Sequence, residues 1–241
     1  MIDYQIVKGQ GNYIFFLHGW GGDKNSFAII KNCIEENFNM VFVSFSGFGL
    51  SKEPLIEYKL NNYVEELESL IKQISDGNKI NIVCHSFGCR VATRLINRNP
   101  LLVEKLIIVD GAGVKPKRSL KYYYKIAKYK RQKNKVLKGK ADSKTLDKYG
   151  STDYKNLSRI MKQTFVNIVN EHQNNEFKNI TCKTLIYWGK NDKETPLYMA
   201  KFIHKSIKNS LLIVKKNSGH FSYIENYIDF TNHLEDFMLF S

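Results

Sequence analysis

Six apolar runs punctuate the 241-residue chain: NYIFFLHG, MVFVSFSG, KINIVCHS, KLIIVDG, TLIYWGKND and SLLIVKKNSGH. Their near-continuous hydrophobicity constrains the fold more than any other feature. A strand with one solvated face alternates apolar and polar residues, whereas a strand covered on both faces does not. These runs therefore read as strands of a parallel sheet with both faces covered. Apolar residues at helical spacing fill most of the gaps between them, over residues 27–38, 60–74, 87–97, 197–207 and 224–240. Alternating β and α units predict an α/β fold, with a mostly parallel central sheet and helices on both of its faces.

The rhythm breaks once. From 114 to 179 no strand pattern is evident, and Ile160, Met161, Thr164, Phe165, Ile168 and Val169 trace one apolar helical face. This segment reads as a helical insertion between two halves of one core, residues 1–113 and 180–241. The length and the 43% hydrophobic content suit one α/β domain carrying such an insert.

Charge is concentrated in the same place. Residues 115–148 hold 14 Lys or Arg against two acids, Asp142 and Asp147, and so carry +12 of the net +14. The remainder is nearly neutral. Tyr122, Tyr123, Tyr124 and Tyr129 interleave with these lysines, a pattern that suits nucleic acid, but no nucleic-acid-binding motif accompanies it. The alternatives are a solvated lysine-rich face and a cationic surface that draws in an anion.

The N-terminal MIDYQIVKGQG lacks the basic-then-apolar order of a secretory signal, and no apolar run approaches a membrane span. The four cysteines, Cys33, Cys84, Cys89 and Cys182, show no metal-ligand spacing, and three fall at strand ends or on helical faces. A cytoplasmic protein with reduced thiols, no metal and no cofactor is expected.

Ligands of an open parallel sheet bind beyond the carboxyl ends of its strands. The residues found there form a chemically coherent set. His18-Gly19-Trp20-Gly21-Gly22 follows the first run, Ser86 the third, Asp192 the fifth and His220 the last. A hydroxyl is a poor nucleophile until a base takes its proton, and that base needs an acceptor to fix its tautomer. A glycine-rich loop offers backbone N–H groups to a developing oxyanion. Ser86 stands where NIVC turns into RVATRLINRN, a strand-to-helix corner that pushes its side chain outward.

HGWGG, CHSFG, GKND and SGHF, in this order and on this rhythm, resemble the α/β-hydrolase superfamily, especially its small esterase-like members with a helical cap. The similarity covers almost the whole chain. It implies Ser86 as nucleophile, His220 as general base and then acid, Asp192 as the orienting carboxylate, and the backbone N–H groups of Trp20 and Phe87 as the oxyanion hole. His18 and Gly19 belong to the oxyanion loop. The insert, residues 114–179, becomes a cap or lid.

Three departures and alternatives accompany the resemblance. Cys84 replaces the first glycine of the G-x-S-x-G elbow, but it is small and belongs to the strand, which disfavours it as nucleophile. SFSGFGLS, residues 44–51, resembles the family's loop after the next strand, yet lacks the usual acidic residue ahead of the glycines. Asp110 also follows a strand and competes with Asp192, which is favoured by its GxxD setting and nearby Pro196. Of the other histidines, His18 and His85 are expected to shape the pocket, His204 and His233 to pack or lie at the surface, and His172 to be a solvated surface residue.

A serine at the elbow implies hydrolysis of a carboxylic ester or thioester without metal or cofactor. It opposes the epoxide hydrolases and haloalkane dehalogenases of the superfamily, which use a carboxylate nucleophile. Carbon–carbon bond hydrolysis, aminopeptidase activity and a non-catalytic ligand-binding homologue are the alternatives. The basic insert fits a carboxylated or phosphorylated substrate, an acidic acyl carrier protein or an anionic membrane surface.

Overall fold

The computed structural model describes residues 2–31, 36–146, 154 and 156–240. Cys33, Asp147 and Lys148 lie outside them. Seven strands form one sheet: β1 (Asp3–Val7), β2 (Tyr13–Leu17), β3 (Asn39–Ser44), β4 (Ile80–His85), β5 (Val103–Val109), β6 (Lys183–Gly189) and β7 (Ser210–Lys215). Their order is β1-β3-β2-β4-β5-β6-β7. All neighbours are parallel except β1, which pairs antiparallel with β3 from Asp3↔Ser44 to Val7↔Met40.

The six predicted strands are present, and β1 is an addition to them. DYQIV is a half-buried edge strand with none of the double-sided apolarity of the central ones. The central strands are apolar through their middles because consecutive residues enter different cores. Phe15, Leu17, Ile82, Cys84, Ile186 and Trp188 face one cluster. Their chain neighbours Ile14, Phe16, Val83, Leu185 and Tyr187 face the other. Both clusters are buried from solvent, so a polar residue in either would lose its water partners.

Helices α1 (Leu60–Ser75), α2 (Phe87–Arg98) and α5 (Tyr198–Ser206) place Leu67, Leu95 and Ile203 in the first cluster. The second is closed by Phe230, Leu234 and Phe237 of α7 (Tyr227–Phe240). The helix expected at 224–240 is broken at Asn226, which separates a single turn, α6 (Ser222–Glu225), from α7. The helix expected over 27–38 is not found: its described residues give only a 3₁₀ turn, Ala28–Ile30, and then turns at 36–37. Phe27, Ile30 and Phe38 are nonetheless buried. Phe27 and Ile30 reach the core from a turn and the 3₁₀ stretch rather than from an α-helix.

Between β5 and β6 no strand occurs among the described residues, and two helices stand out. The 18-residue α3 (Leu120–Leu137) is capped by Ser119, whose hydroxyl accepts the Tyr122 N–H, and none of its described side chains is buried. By contrast, α4 (Arg159–Asn170) buries Met161, Thr164 and Ile168. The Thr164 hydroxyl accepts the Tyr58 N–H at 2.9 Å, and Phe165 meets the Trp20 ring edge at 5.1 Å. α4 is thus anchored to the core, whereas no described side chain of α3 is buried. Among the described residues, no helix is long and apolar enough to cross a membrane.

The SFSGFGLS loop receives a carboxylate from β1. Asp3 accepts from Lys24 Nζ at 2.8 Å and from the Ser44 hydroxyl at 3.3 Å, and its own N–H donates to Ser51 Oγ at 2.7 Å. The acidic group missing from the loop itself is thus supplied by the strand the sequence pattern did not reveal.

Candidate active site

Ser86 links β4 directly to α2 with φ 47° and ψ −109°, a left-handed conformation for a residue with a Cβ. Such a backbone costs on the order of 1–3 kcal/mol and survives only where the surroundings enforce it. Here the Ser86 N–H donates to Val109 O at 3.1 Å, and its carbonyl accepts from Cys89 and Ala112. Gly88 is required beside it, because a Cβ there would lie 2.3 Å from Leu17 O. Cys84 stands where a glycine is usual, and its space comes from the sheet: its thiol is fully buried in β4, 3.4 Å from Ile107 O. Burial pushes that thiol well above its ordinary pKa, so it is neither exposed nor ionised.

His220 arrives from the loop after β7. Its Nε2 lies 3.0 Å from Ser86 Oγ, and its Nδ1 lies 2.8 Å from Asp192 Oδ2. The carboxylate accepts at Nδ1, which leaves Nε2 to accept the Ser86 hydroxyl proton. Asp192 is itself held tightly: its Oδ1 accepts the N–H groups of Glu194 and Thr195 at 2.8 and 2.9 Å, and the Thr195 hydroxyl lies 2.7 Å from Oδ2. Burial alone would raise the Asp192 pKa, but the hydrogen bonds from His220 and Thr195 overcome it and hold the carboxyl below its usual range. For His220, burial lowers and Asp192 raises, and the net direction is upward.

Asp110 does not reach His220. Its Oδ1 accepts the Gly189 N–H at 2.8 Å, and its Oδ2 accepts both the N–H and the hydroxyl of Ser222, at 3.0 and 2.7 Å. Burial pushes it up to about 6 against those bonds. It ties β5 to β6 and to the turn that carries His220.

The other flanking histidines are also tied up. Nδ1–H of His18 donates to Gly19 O at 2.7 Å while its Nε2 accepts the Phe45 N–H at 3.0 Å, which fixes one neutral tautomer. Burial brings its pKa down to about 4. His85 donates from Nε2 to His220 O at 2.7 Å, and burial, then the neighbouring His220, bring it down to about 3. Both bind main chain, so they shape the site as expected. A Cβ on Gly19 would strike the His85 ring at 2.7 Å, which explains the glycine. The Gly88 N–H donates to His18 O at 3.1 Å and fastens the glycine loop to the start of α2. The N–H groups of Trp20 and Phe87 donate no backbone hydrogen bond among the described residues.

His204 lies exposed on α5 and His233 lies on α7, 3.8 Å from Asp229. His172 departs from expectation: it is half-buried, with its Nδ1 fully enclosed and without a partner. Thr195 was not singled out by the sequence; its place three residues after an aspartate that follows a strand is the signal that marks it. No cluster of metal-ligating side chains occurs among the described residues.

The model of the alpha/beta hydrolase fold matches residues 12–135, from the first central strand through the elbow and into the insert. The chain belongs to the alpha/beta hydrolase fold family. Similar to this alpha/beta hydrolase is the AB hydrolase superfamily protein YisY of Bacillus subtilis (strain 168), 27% identical, with 90% of this chain and 88% of that one covered. A proline iminopeptidase of Saccharolobus solfataricus is 26% identical, with 96% and 86% covered. Among solved structures, an esterase from Exiguobacterium antarcticum superposes with a TM-score of 0.77 at 24% identity, over 98% of this chain and 94% of that one. This last similarity speaks for the fold of the alpha/beta hydrolase alone.

Proposed function

We propose that the chain is a serine hydrolase that cleaves a carboxylic ester or thioester through an acyl-enzyme. The observation that carries the reading is the unbroken relay from Ser86 Oγ through His220 to Asp192, at 3.0 and 2.8 Å. In this reading Ser86 Oγ attacks the acyl carbon while its proton passes to His220 Nε2. The carbonyl electron pair moves onto oxygen, where the Trp20 and Phe87 N–H groups stabilise it. Collapse expels the alcohol or thiol, which takes the proton from His220. Water, deprotonated by the same nitrogen, then releases the acid and regenerates Ser86. Asp192 keeps its negative charge throughout and fixes the imidazole.

Residues 114–179 serve as a cap on a core of residues 1–113 and 180–241. Support comes from the contact of Phe165 on α4 with Trp20. An aminopeptidase would need carboxylates to hold a substrate amine, and the strongly basic insert opposes one.

Purified protein should react with a fluorophosphonate, and Ser86→Ala should not. Because the triad acts as a unit, the same variant should lose turnover of p-nitrophenyl esters by on the order of a million-fold. Ester hydrolysis by Ser86→Ala at the parental rate would overturn the assignment. A panel of p-nitrophenyl esters, acyl thioesters and proline p-nitroanilide ranks the substrate classes, and fastest turnover of the anilide would move the reading to a peptidase.

A further inference from the structure

A cavity of about 340 Å³ lies where the chain leaves β5 for the insert and meets α5. It includes none of Ser86, Asp192 and His220. Four lysines line it: Lys115 and Lys117 from the start of the insert, Lys201 and Lys205 one turn apart on α5. Val114, Tyr198 and Phe202 provide its apolar surface. No aspartate or glutamate lines it.

The cluster is unneutralised. Among the described residues none of the four lysines forms a salt bridge, and the two nearby acids, Glu171 and Glu176, are engaged elsewhere. Arg94 holds Glu171 at 3.3 Å and Glu176 at 2.8 Å. Further positive charge surrounds His172, two residues before the lining residue Asn174. Burial, then Arg90, Arg118 and Lys115, all lower the pKa of this histidine. Like charges brought together without a counter-ion favour binding of an anion.

The walls are also fixed in advance. Lys115 N–H donates to Asn174 Oδ1 at 2.8 Å, and Lys117 N–H donates to the Tyr198 hydroxyl at 2.9 Å. The Lys117 ammonium sits 5.0 Å above the Tyr198 ring centre. A ligand entering here does not have to order the main chain around it.

We propose that this pocket binds a small organic phosphate, with the phosphate held by the four lysines and an apolar or aromatic part laid against Tyr198 and Phe202. A dianion with three acceptor oxygens matches several ammonium groups better than a carboxylate does. The volume accommodates a ring as well as the phosphate. The site is independent of the hydrolytic reading, because neither its residues nor its test involves Ser86.

Isothermal titration of the full chain with phenyl phosphate, at an ionic strength of about 0.15 M where distant charges are screened, tests the assignment. Saturable one-to-one binding is expected, with inorganic phosphate weaker and phenol not binding. The double variant Lys201→Gln/Lys205→Gln should weaken phenyl phosphate by about tenfold or more. Lys125→Gln/Lys128→Gln, which removes the same charge from the exposed side of α3, should leave Kd unchanged. Both variants should melt at the parental temperature, since all four side chains are exposed. Equal loss in the two variants would make the effect diffuse charge and overturn the pocket. Benzoate binding as tightly as phenyl phosphate would overturn the phosphate assignment, and absence of saturable binding would overturn the site.

Discussion

At the scale of single residues, the two aspartates that follow strands are separated by what they accept. The Asp192 carboxylate accepts from an imidazole, whereas the Asp110 carboxylate accepts from Gly189 and Ser222. Asp192→Asn should therefore reduce turnover by on the order of ten-thousand-fold with the fold intact, because the imidazole loses its tautomer. Asp110→Asn should act on stability instead. Its amide nitrogen, placed at either oxygen position, would face a donor, and the loss should be about 1–3 kcal/mol, read as a lower Tm. The reverse ranking in kcat would move the orienting role to Asp110. The proton affinity of His220 makes a separate prediction. Burial lowers it, and Asp192 raises it above the ordinary 6.5. The stability of the charged pair is present below pH 6.5 and is lost as pH rises through the raised folded value. On the proposed reading activity runs the other way, because His220 must be neutral to act as the base. The kcat/KM profile should rise with a midpoint above 6.5, and in Asp192→Asn, where burial is unopposed by the carboxylate, that midpoint should move down. An unchanged midpoint would show that another group controls the profile.

At the scale of elements, the insert has two unequal halves. α4 is fastened through Met161, Thr164 and Ile168, while α3 exposes Lys125, Lys128, Lys133 and Lys135. Limited trypsin digestion should cut first within α3 and leave α4 and the sheet protected, because cleavage requires local unfolding and α3 has little burial to lose. Early cleavage spread evenly over the chain would contradict a loosely held α3. Elements buried on both faces were the legible ones, since β4 and β5 are apolar through their middles, at 82–84 and 106–109. β1 escaped notice because an edge strand needs no such pattern, and DYQIV has none. In the described part of 27–38 the spacing has another source: Phe27 and Ile30 are buried from a turn and a short 3₁₀ stretch, and spacing alone does not distinguish these from an α-helix. Strand ends announced Ser86, Asp192 and His220 because topology brings those ends together. The Ser222 turn was hidden, since its value lies in a contact with Asp110 across 112 residues of chain.

At the scale of the whole molecule, the field is lopsided. A core that is nearly neutral carries an insert with most of the +14 charge, and the exposed lysines of α3 project it into solvent. Charges of this kind act over about a Debye length, roughly 8 Å at physiological ionic strength and 30 Å at 0.01 M. They raise the rate of encounter with an anion and leave the chemical step alone. If the reading as an ester hydrolase holds, Lys125→Gln/Lys128→Gln/Lys135→Gln should lower kcat/KM for a carboxylated p-nitrophenyl ester at about 0.01 M salt, and the deficit should shrink as salt rises toward about 0.15 M. Turnover at saturation and hydrolysis of neutral p-nitrophenyl acetate should stay at parental values, which separates steering from misfolding. The substitution also separates the two roles open to the basic insert. A lysine that only keeps a surface solvated has no preference for the sign of the substrate, so the triple variant would then treat anionic and neutral esters alike at every salt concentration. Steering predicts a difference confined to the anionic ester and to low salt, because only there do the removed charges reach an approaching molecule before water and ions screen them.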